Sequence, residues 1–325
     1  MELLRDGDID IGLLADKRVA ILGYGNQGRA QALNLKDSGI DVVVGLRGAS
    51  GSARSAEEAG LTVALIEDAV ASAHIVMFLA PDEALAGIYK EIEARIRYGA
   101  AIGFSHGLAI HFGQIRPRHD LDVYLVAPKG PGSALRALFM QGKGMVGVWA
   151  VAQDASGTTR ELALAYGKAI GCARAGLIAS SFAEECVADL FNEGAVVWGA
   201  VPEILAAGFE ILVEAGVSQE LAFLECVGEL KLIAELIEQR GIAGMREAIS
   251  NTAELGAVLG GPRVVDEHVK QNMRAVLDDV RSGRFAEALR QEALSGDPLL
   301  ENARAKARKH PMEGVFRDLK ELGET

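Results

Sequence analysis

Six residues near the N-terminus, G-Y-G-N-Q-G, restrict what this chain can fold into more than any other stretch. They follow a short β-rich run at 17–22 (K-R-V-A-I-L) and lead into a helical pattern that continues through Leu35. Three glycines between a strand and a helix permit a tight turn and close backbone approach. The helix start then offers free N–H groups and the positive end of its dipole to a pyrophosphate. Gly23, Tyr24, Gly25, Asn26, Gln27 and Gly28 are therefore expected to bind a dinucleotide, with a parallel sheet built outward from the first strand.

The next β-like run, 41–46, ends where NAD-specific folds place an acidic residue for the ribose hydroxyls, and here it meets R-G-A-S-G-S-A-R instead. Arg47, Ser50, Ser52 and Arg54 supply cations and hydroxyls for a 2′-phosphate, so NADPH is expected over NADH. Further β-like runs at 62–65, 75–79, 101–104, 123–127 and 145–151 alternate with helical or turn sequence, the pattern of a doubly wound sheet with extra strands. Two turns in this half look chemical. F-S-H-G puts His106, and V-A-P-K-G-P-G puts Lys129, at strand C-terminal ends, where ligands collect in such sheets.

Past Ser180 and Ser181 the periodicity becomes helical, beginning with one long stretch over about 182–205, which gives two expected domains, 1–181 and 182–325. Two carboxylate pairs stand out in this half, Asp189 with Glu193 and Glu225 with Glu229. On a helix each i, i+4 pair faces one side, and apolar neighbours such as Val197, Trp198, Leu221, Leu230 and Leu232 suggest buried surroundings. Buried like charges need a cation, and oxygen-only ligands suit Mg²⁺, with room for two ions. A solvated helix face with chance acidic spacing is the alternative. Ser250, in S-N-T-A-E, reads either as a helix cap or as a hydroxyl donor near these carboxylates. The net charge of −12 argues against nucleic acid and anionic membrane as partners. No apolar run looks long enough to span a bilayer, and three cysteines without metal or disulfide spacing suit a reducing cytoplasm.

In order and separation, G-Y-G-N-Q-G-R-A-Q-A-L-N-L-K-D-S-G, G-L-R, H-G-L-A-I-H-F-G-Q-I, A-P-K-G-P-G, D-L-F-N-E, E-C-V-G-E-L-K-L-I, S-N-T-A-E and H-P-M-E resemble ketol-acid reductoisomerase over nearly the whole chain, in its short class I form. The resemblance implies an α/β fold, a Rossmann-like NADPH-binding domain followed by an all-helical knotted domain. It also implies a homodimer with interlocked helices and shared sites, open to higher assembly. Asp189 would bridge two Mg²⁺ ions and Glu193 would complete their shell, while Glu225, Glu229 and the substrate-holding Ser250 would come from the partner. His106 and Lys129 would lie near the metals and the nicotinamide, Glu229 would act as acid/base, and Asp82 and Gly132 would join the cofactor contacts. The implied substrates are 2-keto acids of the acetolactate type, on the branched-chain amino acid route.

The motifs also depart from the family. Val197 and Trp198 replace a leucine and a cysteine that line the alkyl pocket, and Gly194 replaces a glutamine one helical turn before Trp198, as if to make room for the indole. Leu85 stands for a cofactor-side glutamine, Ser105 for an alanine and Gly228 for a histidine. These changes leave a 2-keto acid reductase without the alkyl shift, or an isomeroreductase of a specialised pathway, as the competing enzyme, and a catalytically silent homologue as the competing class.

Overall fold

A computed structural model describes residues 2–321 and 323. Its first part is a nine-stranded sheet: β1 (Leu3–Leu4), β2 (Arg18–Leu22), β3 (Asp41–Leu46), β4 (Thr62–Leu65), β5 (Ile75–Phe78), β6 (Ala101–Phe104), β7 (Asp122–Pro128), β8 (Gly147–Gln153) and β9 (Leu177–Ala179), in the order β1-β9-β8-β7-β6-β5-β2-β3-β4. Strands β5, β6 and β7 are buried along their whole length, which is why they read as continuous apolar runs rather than alternating ones. The ladder is parallel except for β7 against β8 and β1 against β9. Strand β2 pairs with β3 on one side and β5 on the other, Val19 lying between Val42 and Ile75, so the order reverses there and opens a crevice at the strand ends. The two- and three-residue strands β1 and β9 escaped the sequence pattern because neither is long enough to show a period.

Helices cover both faces of the sheet. Those in this part are α1 (Asn26–Asp37), α2 (Gly51–Glu58), α3 (Ile66–Ser72), α4 (Asp82–Ile92), α5 (Leu108–His111), α6 (Gly132–Met140) and α7 (Thr159–Ala169). Ala30 and Leu35 of α1, Leu135 of α6 and Tyr166 of α7 share one core cluster, while Val70, Ile88 and Ala109 of α3, α4 and α5 share the other. Leu85 is 2% exposed within that second cluster, so it packs as core on α4.

The remainder is helical: α8 (Phe182–Ala195), α9 (Ala200–Glu214), α10 (Gln219–Phe223), α11 (Leu230–Ala248), α12 (Asn251–Val264), α13 (Glu267–Arg281), α14 (Arg284–Leu294), α15 (Pro298–Arg308) and α16 (Pro311–Glu321). By compactness the chain divides into Met1–Ala188 and Asp189–Thr325, a boundary inside α8. The helical unit's largest core cluster is small, formed by Phe209, Ala222, Phe223, Val315 and Leu319.

Three expectations change in this unit. The 182–205 stretch is two helices, because residues 196–199 form a turn in which a Cβ on Gly199 would lie 2.0 Å from the Gly194 carbonyl oxygen. Gly194 and Trp198 therefore do not share a helix: a Cβ on Gly194 would meet Val276 at 3.3 Å, and Trp198 is 63% exposed. Most of the apolar neighbours of the carboxylates are not buried within one chain either: Ala195, Ala222 and Phe223 are, but Leu221, Leu224, Leu230, Leu232 and Ile233 are all exposed. The stretch Phe182–Glu214 is also long and apolar enough to cross a membrane by length and composition, although it contains the turn at 196–199 and the acidic Glu184, Glu185, Asp189, Glu193 and Glu203.

Candidate active site

The glycine-rich loop is built where the sequence put it, and each glycine has its own reason. Gly23 sits at φ 97°, and a Cβ there would lie 2.7 Å from the Ala80 backbone nitrogen, so the turn after β5 closes against it. A Cβ on Gly28 would come within 2.2 Å of the Gly23 carbonyl oxygen, which fixes helix against strand. Gly25 begins α1 with no side-chain cap, and its Cβ position faces open space. That opening is the approach a pyrophosphate needs, so the loop fits a dinucleotide. Gly25→Ala is accordingly expected to keep the melting temperature while weakening dinucleotide binding about tenfold. Gly28→Ala, which must displace backbone, is expected to lose about 1–3 kcal/mol in a denaturant titration.

The loop is tied to the turn that carries Lys129. Gln27 Nε2 donates to Gly130 O at 2.9 Å, Ser133 N donates to Asn26 Oδ1 at 2.8 Å, and a Cβ on Gly132 would lie 2.1 Å from Asn26 O. Behind it runs a buried chain: Tyr166 OH donates to Gln31 Oε1 at 2.7 Å, and Gln31 Nε2 donates to Gln27 Oε1 at 3.0 Å and to Ser105 Oγ at 2.9 Å. Ser105 in turn donates to Val126 O at 2.9 Å. The serine at 105 thus links the dinucleotide loop to the strand end that precedes His106. A cavity of ≈ 600 Å³ adjoins the loop, lined by Tyr24, Gly25, Asn26, Ser52 and Gly132 of the expected set. Arg47 and Ser50 are not among its lining residues, and Ser50 Oγ instead caps α2 by accepting from Ala53 N at 3.2 Å. Asp82 is the first residue of α4 and is half-buried.

His106 and Lys129 meet on a residue that the sequence reading passed over, Glu185. Its side chain is 1% exposed; Oε1 accepts from Lys129 Nζ at 2.8 Å, while Oε2 accepts from Gly107 N at 2.8 Å and lies 3.2 Å from His106 Nδ1. Burial raises the carboxyl, but the hydrogen bond and charge of His106 and the charge of Lys129 outweigh it, holding Glu185 below the ordinary glutamate value. It stays ionised, and it holds two proton-carrying side chains at the ends of β6 and β7. A signal for it was present: Glu185, Asp189 and Glu193 follow one another at i, i+4 on α8, on one face of the helix.

The other carboxylates lie further along the chain. Glu225 falls in a π-helical turn, Leu224–Gly228, and Glu229 immediately after it, so the second pair is not on a regular α-helix. Widened turns of this kind are common at functional sites. Both glutamates are exposed, and among the described residues neither joins a cluster of three or more candidate metal-ligating side chains. Ser250 caps α12, accepting from Ala253 N at 3.2 Å, which leaves its hydroxyl hydrogen to donate. Val197 is 47% exposed beside Trp198 in the 196–199 turn. An all-oxygen set on one helical face is chemistry for a hard divalent ion, so the donors on α8 fit Mg²⁺.

Residues 13–176 match the family model for the NADPH-binding domain of acetohydroxy acid isomeroreductase, and residues 182–324 match that for the C-terminal domain of ketol-acid reductoisomerase. Among solved structures, the chain is similar to an NADH-preferring ketol-acid reductoisomerase from an uncultured archean, with 42% identity, 99% of each chain covered and a TM-score of 0.96. It shares only a fold with a semialdehyde dehydrogenase NAD-binding protein from Cupriavidus necator (19% identity, 82% of this chain and 99% of that one, TM-score 0.63). The same holds for a pyrroline-5-carboxylate reductase from Coxiella burnetii (15% identity, 82% and 98%, TM-score 0.58).

Proposed function

The chain belongs to the ketol-acid reductoisomerase family, and from that premise we propose that it converts an acetolactate-type 2-hydroxy-2-alkyl-3-keto acid to a 2,3-dihydroxy acid as a homodimer, using NADPH and two Mg²⁺ ions. The observation that carries this reading is Glu185, which holds Lys129 and His106 one helical turn before Asp189. Asp189 and Glu193 would hold the ions, with Glu225 and Glu229 supplied by the second copy. Bound there, the ions supply Lewis acidity to the substrate's hydroxyl and ketone. NADPH supplies the hydride.

The protein's own groups do the rest. Glu229 takes the proton of the C2 hydroxyl as the alkyl group moves from C2 to C3 and returns it to the alkoxide so formed at C3; hydride delivery to C2 leaves a second alkoxide there, which takes its proton from solvent. Ser250 donates its hydroxyl hydrogen to the substrate carboxylate while its oxygen caps α12. Lys129 and His106, fixed by one carboxylate, orient the keto acid without rotamer freedom.

A second copy is the partner that the helical unit needs. Ile211, Leu232, Ile242, Leu255 and Leu259 are each at least 60% exposed in a single chain, a surface that suits an obligate interface. Such a partner also supports a cytoplasmic enzyme rather than a membrane one, as do three free cysteines. The 42%-identical relative prefers NADH, so the choice of NADPH rests on this chain's own residues.

One observation favours a second reading. Trp198 is exposed in the turn where the family has a cysteine, and a large indole there reshapes the alkyl pocket. The test is NADPH oxidation with Mg²⁺ and either racemic acetolactate or 3-hydroxy-3-methyl-2-oxobutanoate. Turnover of both is expected, with branched-chain synthesis as the pathway. Turnover of the second acid alone would mean a reductase without the alkyl shift, or one serving another pathway. Trp198→Cys is expected to change kcat/KM for acetolactate relative to acetohydroxybutyrate about tenfold, since pocket methylenes discriminate by about that factor.

A further inference from the structure

Gln31 is fully buried on α1, and its amide is the branch point of the hydrogen-bond chain behind the dinucleotide loop. The sense of that chain is fixed by its two ends. Val126 O and Gly130 O are backbone carbonyls, which only accept. Ser105 must therefore give its hydroxyl hydrogen to Val126 O, and Gln27 must turn its Nε2 to Gly130 O. Both then face Gln31 with acceptors, Ser105 Oγ and Gln27 Oε1, and the Gln31 amide nitrogen supplies one hydrogen to each. Its own Oε1 is left to accept from Tyr166 OH. Glutamine meets this demand because one end of its side chain carries both donor hydrogens and the other an acceptor; an ionised glutamate has no hydrogen to give.

Docking of α1 does not require this amide. Asn34 Nδ2 donates to Ile170 O at 2.9 Å and Ser38 Oγ donates to Ala169 O at 2.7 Å, which ties the same helix to the end of α7, and Ala30 and Leu35 bury its apolar face. A buried amide is costly unless its polar atoms are paired, so an apolar side chain would serve packing alone. What the amide adds lies at the far ends of its two branches. Val126 and Gly130 stand on either side of Lys129, and Ser105 directly precedes His106. Lys129 and His106 are the side chains that converge on Glu185.

We propose that Gln31 is a positioning residue for the reaction: through Gln27 and Ser105 it sets the turn that carries Lys129, and the residue next to His106, against the dinucleotide loop. The assignment rests on the isomeroreductase reading given above and deepens it to the group that keeps the keto-acid side of the site in register with the cofactor side. Being fully buried, Gln31 acts only through its neighbours. Cutting both branches leaves the Glu185 cluster its own bonds but frees the turn to shift relative to the dinucleotide, and a displacement of about 1 Å can cost about a hundredfold in rate.

The test compares Gln31→Met, Ser105→Ala, the double variant and Ser38→Ala in the full-length protein, well below the melting temperature of each. Steady-state turnover of acetolactate gives kcat, calorimetric titration gives the Kd of NADPH, and hydrogen exchange at the Lys129 and Gly130 amides reads the turn without any turnover. Gln31→Met is expected to lower kcat about tenfold or more, to leave the Kd of NADPH within about twofold and to speed exchange at Lys129 and Gly130 about tenfold. Ser105→Ala, which cuts one branch, should lose less, and the two losses should not multiply in the double variant because that branch is shared. Ser38→Ala loosens α1 elsewhere; it should lower the melting temperature and leave kcat within about twofold. Unchanged kcat or exchange in Gln31→Met, a loss of NADPH affinity equal to the loss of kcat, losses that multiply in the double variant, or an equal loss of kcat in Ser38→Ala overturns the assignment. Failure of the isomeroreductase reading shows instead in the wild type, as nucleotide binding without turnover of acetolactate. In that event kcat is read with 3-hydroxy-3-methyl-2-oxobutanoate, and the exchange comparison decides the assignment as before.

Discussion

Asp189→Asn is expected to remove isomeroreduction of acetolactate, with kcat/KM falling by about a hundredfold or more, while dinucleotide binding and the melting temperature stay close to those of the wild type. The amide keeps the shape but halves the hard oxygen donors and removes the charge, so the divalent ions proposed for this site would lose several kcal/mol of binding. Each 1.36 kcal/mol withheld from the transition state is a factor of about ten in rate. The comparison is steady-state NADPH oxidation at rising Mg²⁺, set beside calorimetric titration of NADPH. Full activity in the variant would remove Asp189 from the metal site and with it the two-metal reading of α8.

The second large effect belongs to Glu185. Replacing it by alanine takes away the one buried carboxylate that the Lys129 ammonium, the His106 ring and the Gly107 N–H share. Breaking one side of a buried ionic cluster typically costs about 3–5 kcal/mol, and a denaturant titration should show a loss of that order. Glu185→Gln separates charge from shape. It should retain most of the fold while lowering kcat, since Lys129 and His106 lose the group that orients them.

The same carboxylate sets a pH dependence with a definite sign. Its folded-state pKa lies below the ordinary value of 4.5, because His106 and Lys129 together outweigh the effect of burial. A group depressed on folding contributes stability at pH values above the ordinary value, and that contribution is lost as pH falls through the lower folded one. The stability difference between wild type and Glu185→Gln should therefore be constant at neutral pH and shrink below about pH 4.5. A difference that grew on acidification would contradict the arrangement of charges around Glu185.

Much of this site was legible because its logic is local. G-Y-G-N-Q-G specifies a turn that only glycine can make at Gly23, where φ is positive, and whose close contact at Gly28 is with the carbonyl of Gly23 in the same loop. Seven of the nine strands announced themselves as β-rich apolar runs, and β5, β6 and β7 did so as unbroken ones, since strands buried along their whole length permit little else. The acidic pairs pointed either to a hard cation or to a solvated helix face, and spacing alone did not choose between them. Glu185 was missed because its meaning depends on partners 79 and 56 residues away, and neither separation leaves a trace in local periodicity.

The sequence alone determined the dinucleotide loop, the donor chemistry on α8 and the order of sheet then helices, all of which follow from spacing within a few residues. Tertiary structure alone decided that Arg29 and Arg136 line the cavity beside the loop, where the sequence pointed to Arg47. It also decided that Gly199 bends the chain and separates Gly194 from Trp198, and that one carboxylate gathers His106 and Lys129. The physical reason is common to all three. A side chain's neighbours across elements are fixed by how helices and strands pack, and periodicity reports only which face a residue occupies.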